Sequence, residues 1–499
     1  MREEDMQPGG EQAEERLAAA DAERQQPQEP DAQEQTAQEQ TAQEPSGGEG
    51  AGKKKKKKKR RKGMTPEERK KRTKRDLIIT GCVFGAIALF AAICAVVSYV
   101  GWTGNFDYIA TIEAVEYDSE FTLIDAEESA TGYYEFVAES ADDEFHVLHL
   151  TDIHLGAGPF STQNDRWAID AVETVVKRAA QDDGLDLVVV TGDLGFPVPY
   201  ASGTLNNRRE VEMFGELMAS LDVYWTVVFG NHDTEIYSLY NREEVSDYFT
   251  EKAESGEWGK LLYRRGEEEL SGFGNDIIVV RHPERCVTIT AENYDADTIE
   301  ELSNITQALV MFDSHSYTDG DYFGIAWKYD NIHQDQIDWY AEQMQALSAR
   351  NGSRVKNMLF FHIPLREYGR YWEEYKDNGH QDTANVKYVF GTAGESGEKS
   401  FPGVDEDLVF ETAAENGCQA IFCGHDHYNT YAIDVTAEKE NGEKVTIRLE
   451  YGMSIDYIAY PGISRHIEQR GGAQIKISPD GSFSSRQRPY QEESVMEYR

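Results

Sequence analysis

Side chains that commonly bind metal ions follow five short apolar runs of this sequence. Asp152 and His154 come after the first run, and Asp193 comes after the second. The full set at the ends of the five runs is Asp152, His154, Asp193, Asn231, His232, Asp233, His362, His425 and His427. Imidazole and carboxylate groups suit Zn, Mn and Fe, and each ion needs three or four protein ligands. The set is therefore large enough for two metal ions that share one carboxylate.

The apolar runs have the composition of buried strands, and they alternate with helix-like segments near 164–180, 207–221, 333–349 and 404–416. Strands separated by helices predict an α/β fold in which helices cover the sheets. The carboxyl ends of strands in such folds meet at one edge, where ligands bind. We therefore expect the polar residues to converge at that edge, within a single globular domain.

A buried histidine on its own is more often a hydrogen-bonded core residue than a metal ligand. That explanation fits poorly when polar residues recur at five successive strand ends. A dry core that contained so many polar groups would be very unfavourable. The repeated placement therefore favours a metal centre.

The order of these motifs resembles that of the calcineurin-like metallophosphoesterases. The sequence contains D-x-H, G-D, G-N-H-D, a lone histidine and G-H-x-H in that order, within residues 145–430. The segments FGNHDTE, FDSHSY, QIDWY and FFHIPL resemble the non-purple relatives of purple acid phosphatases in particular. The resemblance implies a two-sheet αββα sandwich over residues 145–490.

Ligand roles follow from the resemblance, position by position. It implies that the first metal is held by Asp152, His154 and His427, the second by Asn231, His362 and His425, with Asp193 bridging both. His232 would face the substrate without binding metal. Asp233 would either hold His232 or act as a loop cap, and both alternatives stay open.

The residue at position 196 bears on which metal ions the site would bind. Purple acid phosphatases place an iron-binding tyrosine three residues after the bridging aspartate, whereas this chain has Phe196. Mn, Zn or a mixed Fe/Zn pair therefore remain possible. Two divalent ions lower the pKa of a bridging water, and the resulting hydroxide can attack phosphorus in line while His232 protonates the leaving oxygen. The sequence does not distinguish monoesters, diesters and pyrophosphates as substrates.

Charge is distributed in three blocks along the 499 residues, whose net charge is −42. Residues 1–52 have 14 acidic and 3 basic side chains, residues 53–75 have 2 and 16, and residues 76–499 have 75 and 30. The first block has little to bury and should be disordered. The overall acidity argues against a general nucleic-acid binder, and only five cysteines argue against a disulfide-rich scaffold.

The basic block precedes a long stretch without charge. Leu77–Val100 is a 24-residue apolar run. As a helix it would be roughly 36 Å long, enough to cross a hydrocarbon layer of about 30 Å. We expect a transmembrane signal-anchor helix over 76–102, with the polybasic segment 53–75 in the cytoplasm against anionic lipids and the catalytic domain exported. A linker with a small β element would occupy 103–144.

Residues 1–106 and the domain that follows them allow other interpretations. A leader of some 75 residues is too long for a cleavable signal peptide, and a core helix rarely has thirty uncharged residues. The domain could instead face the cytosol, or the basic block could bind nucleic acid. The main alternative function is a catalytically silent surface-binding or scaffold module with the same fold.

Overall fold

The computed structural model describes residues 65–284, 296–460 and 469–491. The acidic tail 1–52 and residues 53–64 of the polybasic segment lie outside the described residues.

Eight helices are present in the part of the chain that the structure describes. They are α1 (Pro66–Ile109), α2 (Thr162–Asp182), α3 (Arg208–Leu221), α4 (Arg242–Ser255), α5 (Ala296–Leu302), α6 (Gln334–Asn351), α7 (Arg366–Asp377) and α8 (Val409–Glu415).

Fourteen strands accompany them in the same described ranges. They are β1 (Phe121–Ile124), β2 (Tyr134–Ala138), β3 (Phe145–Leu150), β4 (Leu187–Thr191), β5 (Trp225–Val228), β6 (Asp276–Pro283), β7 (Ser303–Met311), β8 (Asn357–Phe360), β9 (Val386–Phe390), β10 (Cys418–Cys423), β11 (Ala432–Glu438), β12 (Lys444–Tyr451), β13 (Gly471–Ile477) and β14 (Phe483–Pro489).

The strands form two sheets, so the fold is mixed α/β as predicted. The smaller sheet has the order β14-β13-β3-β4-β5, and the larger has the order β1-β2-β6-β7-β8-β10-β12-β11-β9. Strands β3, β4 and β5 are parallel to one another. Strands β7, β8, β10 and β12 are also parallel. Parallel strands in each sheet therefore end at a common edge.

Three hydrophobic cores hold these layers together. One lies between the two sheets and contains Phe145, Val189 and Phe360. A second lies between the small sheet and helices α2, α3 and α4. The third lies between the large sheet and helices α6, α7 and α8. Because strands such as β4 are covered on both faces, Val188 and Val189 are both buried and the strand sequence is continuously apolar.

Helix α1 is the one helix in the described residues that is long and apolar enough to cross a membrane, judged by length and composition. It continues beyond the predicted end of the span at residue 102 and runs to Ile109, which is buried in the core beside α2 and α3. The apolar part of the helix is not covered by other described residues, as Leu77 and Phe84 illustrate.

Residues 103–144 contain the last turns of α1 and the β1–β2 hairpin. The two strands pair antiparallel, as the alternating sequence suggests, and β2 pairs in parallel with β6. The hairpin therefore forms the outer edge of the nine-stranded sheet.

Candidate metal centre

All seven residues predicted to bind metal lie at the edge where the parallel strands end. They follow β3 (Asp152, His154), β4 (Asp193), β5 (Asn231), β8 (His362) and β10 (His425, His427). None of their side chains is appreciably exposed. The five strand ends thus bring together the residues that the sequence pattern singled out.

Four of these residues form one group. The side-chain ligand atoms of Asp152, His154, Asp193 and His427 all lie within 4.8 Å of one another. His427 Nε2 lies 3.2 Å from Asp152 Oδ1, and His154 Nε2 lies 3.3 Å from Asp193 Oδ2. The spacing suits several ligands around one ion.

A second group surrounds His362. Its Nε2 atom lies 3.1 Å from Asn231 Oδ1, 3.3 Å from His425 Nδ1 and 3.2 Å from Asp193 Oδ2. The same Asp193 oxygen contacts His154 in the first group. Asp193 therefore stands between the two groups, as a bridging ligand would.

The polar atoms of this cluster fit metal ions better than they fit each other. Among the described residues, Asp193 Oδ2 and both ring nitrogens of His154 are buried without a hydrogen-bond partner. Buried polar groups are almost always satisfied, so orphaned ones that converge on one point require an explanation. Divalent cations would satisfy these oxygen and nitrogen atoms together.

Several of the clustered residues have left-handed backbone conformations that non-glycine residues seldom adopt. The φ angles are +52° at Asp152, +54° at His154, +51° at Asp193 and +74° at His425. Such conformations cost about 1–3 kcal/mol each and are concentrated at functional sites. The surrounding structure must therefore impose them.

Gly230 shows how closely the chain is packed behind the cluster. A Cβ atom at this position would lie 2.1 Å from Asp193 Oδ1 and 2.3 Å from Asp193 N. Only glycine fits here without displacing Asp193. The glycine before Asn231 in the G-N-H-D motif is thus a packing requirement.

Asp233 holds the loops of the small sheet together. Its carboxylate accepts hydrogen bonds from the backbone N–H groups of Gly230 at 2.7 Å, Asp193 at 3.0 Å and Gly195 at 3.1 Å. All three donors belong to the segments that carry Asp193 and Asn231. Of the two roles left open by the sequence, the structure shows loop capping.

The partner of His232 differs from the expectation. The nearby Glu235, rather than Asp233, contacts His232, with Glu235 Oε1 at 2.7 Å from His232 Nδ1. The Asp233 carboxylate instead accepts the three backbone N–H groups. The His232 side chain is 21% exposed, more than the seven clustered residues, and its ring packs 4.8 Å from that of Phe196. It is placed where a substrate could reach it.

Two histidines from the large sheet are fixed through the ring nitrogen that points away from the cluster. His362 Nδ1 lies 2.7 Å from the backbone oxygen of Thr191, and His427 Nδ1 lies 3.1 Å from Asp456 Oδ2. Asp456 also accepts backbone N–H bonds from Ile458 and Ala459. Such outer contacts set the tautomer and leave Nε2 free for a metal ion. Asp456 was missed from the sequence, although it follows β12 at the same edge.

Charge in the cluster favours ionised carboxylates. Burial raises the pKa of Asp193, but the neighbouring His362 and His232 outweigh burial and hold it well below the ordinary value. Burial likewise raises the pKa of Asp456, and His427 with His154 reverses the shift to below the ordinary value. Both groups are therefore anionic at neutral pH, as ligands and their supporting partners must be.

Tyrosines from the segment after β7 cover the second group. Tyr317 Oη lies 3.1 Å from Asn231 Nδ2, and the Tyr329 ring centroid lies 4.2 Å from that of His425. Burial raises the pKa of both phenols, with nearby acidic groups adding to the effect. They are therefore neutral hydroxyls that form a wall of the site.

A family model described as calcineurin-like phosphoesterase matches residues 145–429, which is more than half of the chain. A search of curated proteins found no match.

Several solved structures resemble the fold at low sequence identity. A dimetal phosphatase from Danio rerio is 9% identical with a TM-score of 0.38, over 70% of this chain and 97% of the other. A purple acid phosphatase from yellow lupin is 13% identical with a TM-score of 0.38, over 73% and 55%. A Haemophilus influenzae NAD nucleotidase is 14% identical with a TM-score of 0.32, over 70% and 50%. At these scores, family membership rests on the sequence match.

Proposed function

We propose that this chain, which belongs to the calcineurin-like phosphoesterase family and is a metal-dependent phosphoric ester hydrolase, cleaves phosphate mono- or diesters at a dinuclear centre. The domain that carries this centre would be membrane-anchored and exported. The observation that supports the dinuclear centre most strongly is the convergence of seven buried side chains, among which Asp193 Oδ2 faces the Nε2 atoms of both His154 and His362.

Each metal would have its own set of side chains. We assign Asp152, His154 and His427 to the first ion, Asn231, His362 and His425 to the second, and Asp193 to both. Two divalent ions so held would supply Lewis-acid stabilisation of the phosphoryl group and an activated water. The ligand types allow Mn, Zn or Fe.

His232 is the group of this chain that would act on the leaving oxygen. Its Nδ1 atom faces Glu235, which leaves Nε2 for the substrate. Burial lowers the pKa of His232, but Asp193 and Glu235 more than offset burial, so the pKa is raised. A protonated imidazole held in this way can donate a proton to the departing alkoxide.

Phe196 and the two tyrosines Tyr317 and Tyr329 would shape the remaining walls of the substrate cleft. Phe196 lies beside both His154 and His232, and it offers no oxygen as a ligand. An aromatic ring here keeps water away from the His232 side of the site. The tyrosine hydroxyls offer neutral hydrogen bonds to phosphate oxygens.

The membrane anchor rests on α1 and on the charge beside it. The helix is long and apolar enough to span a bilayer, and the block of 16 basic residues, whose last members lie in the first turns of α1, precedes the apolar run. Basic flanks stay on the cytoplasmic side, so the domain would be exported. Protease treatment of intact cells should remove the domain while cytosolic markers survive; survival of the domain would reverse the assigned topology.

His232→Ala tests the catalytic proposal. We expect turnover of p-nitrophenyl phosphate or its bis-ester to fall by about 10²–10⁴-fold, because general acid catalysis is lost. Bound metal, measured by elemental analysis, should stay at two ions per chain. A variant with unchanged turnover would show that His232 has no such role, and a wild-type chain that binds metal but cleaves neither ester would indicate a silent binding module.

A further inference from the structure

The membrane end of α1 meets the domain at the same edge as the metal centre. Ser98, which still lies within the apolar run 77–100, has its Oγ atom 3.3 Å from Arg209 at the start of α3. About two turns later, Asn105 Nδ2 donates a hydrogen bond of 3.2 Å to the backbone oxygen of Thr162, the first residue of α2. Helices α2 and α3 begin immediately after the loops that leave His154 and Asp193.

Helix α1 then runs alongside α2 and α3, away from that edge. Tyr108 Oη contacts Asp170 at 2.6 Å in the middle of α2, and Val115 N bonds to the Leu221 oxygen at the end of α3 at 2.9 Å. Contacts thus progress from the starts of these helices toward their later residues along α1 and the segment that follows its end at Ile109. The preceding apolar turns, Leu77 to Val97, must therefore project outward past the edge that carries the metal-binding residues.

The loops at this edge expose large apolar side chains, which we name the apolar rim. The rim consists of Phe160, Tyr200, Leu205, Ile236 and Leu239, with exposures between 36% and 85%. These residues come from the three loops after β3, β4 and β5 that also supply Asp152, His154, Asp193, Asn231 and His232.

Backbone hydrogen bonds join the rim loops into one surface. Phe160 N donates to Ser202 O at 3.1 Å, and Leu239 N donates to Leu205 O at 2.8 Å. Isolated exposed apolar residues are ordinary, whereas several on connected loops beside an apolar helix mark a contact surface. Phe160 and Leu205 lie two and four residues before Thr162 and Arg209, which α1 contacts, so the surface that the rim fits is the bilayer that α1 would span.

Arg209 and Trp102 support this position at the membrane boundary. The Arg209 guanidinium lies 5.0 Å from the ring centroid of Trp102, which follows the apolar run directly. Tryptophan and arginine side chains are typical of the headgroup level of a bilayer. The start of α3 is therefore at the depth of lipid headgroups.

We propose that the apolar rim lies in the bilayer interface, so that the metal centre faces the membrane and cleaves phosphate esters carried by lipids. The inference rests on the proposed membrane span and phosphoesterase site, and it does not depend on which side of the membrane the domain occupies. A phosphate that is fixed in a headgroup would enter the site from the side on which α1 projects.

Vesicle assays of the full-length, metal-loaded chain test the substrate class. The chain is reconstituted into phosphatidylcholine vesicles that contain phosphatidic acid, a monoester, or phosphatidylglycerol, a diester. The double variant Phe160→Ser/Leu239→Ser should cleave the lipid ester at least about tenfold more slowly, since two apolar contacts with the bilayer are lost. Cleavage of p-nitrophenyl phosphate in the same vesicles should not change.

The matched control is Leu408→Ser, compared with Leu239→Ser alone, because Leu408 is an exposed apolar residue directly before α8, in the layer over the other sheet. It should change neither rate. Equal lipid turnover by the rim variant and the wild type would overturn the proposal. So would a wild-type chain that cleaves the nitrophenyl ester but neither lipid.

A position measurement separates this proposal from the phosphoesterase assignment. Leu239→Cys and Leu408→Cys are each labelled with a fluorophore, in a chain whose Cys82, Cys94 and Cys286 are serine. Spin-labelled lipid should quench the label at 239 strongly and the label at 408 weakly. Equal quenching of the two labels would contradict membrane contact of the apolar rim. Strong quenching at 239 in a chain without any esterase activity would support the membrane contact and contradict the phosphoesterase function.

Discussion

The small and large sheets hold their shares of the metal centre in different ways. On the small sheet, Asp152, His154 and Asp193 all have left-handed backbones, and within the described ranges both ring nitrogens of His154 are without a hydrogen-bond partner. On the large sheet, His362 and His427 are anchored through the second ring nitrogen. His425 of the large sheet is also left-handed, so the contrast lies between the ring of His154, which has no outer contact, and the rings of His362 and His427, which have one.

That difference predicts where the site tolerates change. A ligand fixed by loop conformation depends on whatever holds the loop, here the Asp233 carboxylate and the close approach at Gly230. A ligand fixed by a ring contact depends on one outer partner, such as Asp456. Damage to the small-sheet half should therefore affect folding, and damage to the large-sheet half should affect metal affinity.

Asp193→Asn should have the largest effect, because Asp193 Oδ2 contacts histidines of both halves. We expect activity to fall by about a thousandfold or more, as several kcal/mol of stabilisation is lost. Elemental analysis should show fewer than two ions per chain. Retention of both ions would contradict the bridging position and leave the two halves independent.

Metal removal should increase the flexibility of the metal-binding loops of the small sheet more than that of the loops of the large sheet. Chelation should lower the free energy of unfolding by about 3–4 kcal/mol, the value expected for ligands present at 100–1,000 times their dissociation constants. Because neither ring nitrogen of His154 has a hydrogen-bond partner among the described residues, hydrogen exchange should rise more in residues 152–156 than in residues 425–428. Equal loss of protection would contradict the proposed contrast.

Asp233→Ala tests the backbone bracing directly. Three buried N–H groups lose their acceptor, so the metal-free protein should be destabilised by about 2–4 kcal/mol in denaturant titration. The exposed Asp377, at the end of α7, provides the control, and Asp377→Ala should leave stability unchanged. If Asp233→Ala lowered the free energy of unfolding only slightly, contacts other than those of Asp233 would hold the loops in place.

Asp456→Asn tests the ring contact in the large-sheet half. Asparagine keeps one oxygen for the N–H groups of Ile458 and Ala459 but loses the charge beside His427. Metal affinity should fall by about 10–100-fold in a competition titration with a chelator. The free energy of unfolding of the metal-free chain should fall less in Asp456→Asn than in Asp233→Ala. A larger fall in Asp456→Asn would contradict the proposed difference between the two sheets.

Glu235→Gln should have the smallest effect, since it alters only the orientation of His232. We expect kcat to fall roughly tenfold, against a hundredfold or more when the ring itself is removed. Metal content and KM should stay at wild-type values, which separates positioning of His232 from a general loss of structure. A kcat equal to that of the wild type would mean that another group orients the ring.

The strand ends and their ligand-type residues could be predicted because one rule governs all five. An apolar run followed by a carboxylate or imidazole is visible without any tertiary information, so Asp193 and His362 were found in the sequence. Their roles as metal ligands stay a prediction. Asp456 carries the same signal after β12, but a single aspartate without a neighbouring histidine did not stand out.

Contacts that depend on loop conformation could not be predicted. Asp233 is adjacent to His232 in sequence, yet adjacent side chains diverge and Glu235 reaches the ring instead. The extension of α1 to Ile109 is equally a tertiary effect, because Asn105 and Tyr108 gain partners on α2 that the sequence does not indicate.

The continuity of α1 has a mechanical consequence. One unbroken helix contains the apolar turns and the turns that pack on α2 and α3, so no flexible joint separates them. A helix tilts when its apolar length exceeds the hydrocarbon thickness of the bilayer. Here such a tilt would rotate the whole domain, so thinner and thicker membranes would hold the metal centre at different heights above the headgroups.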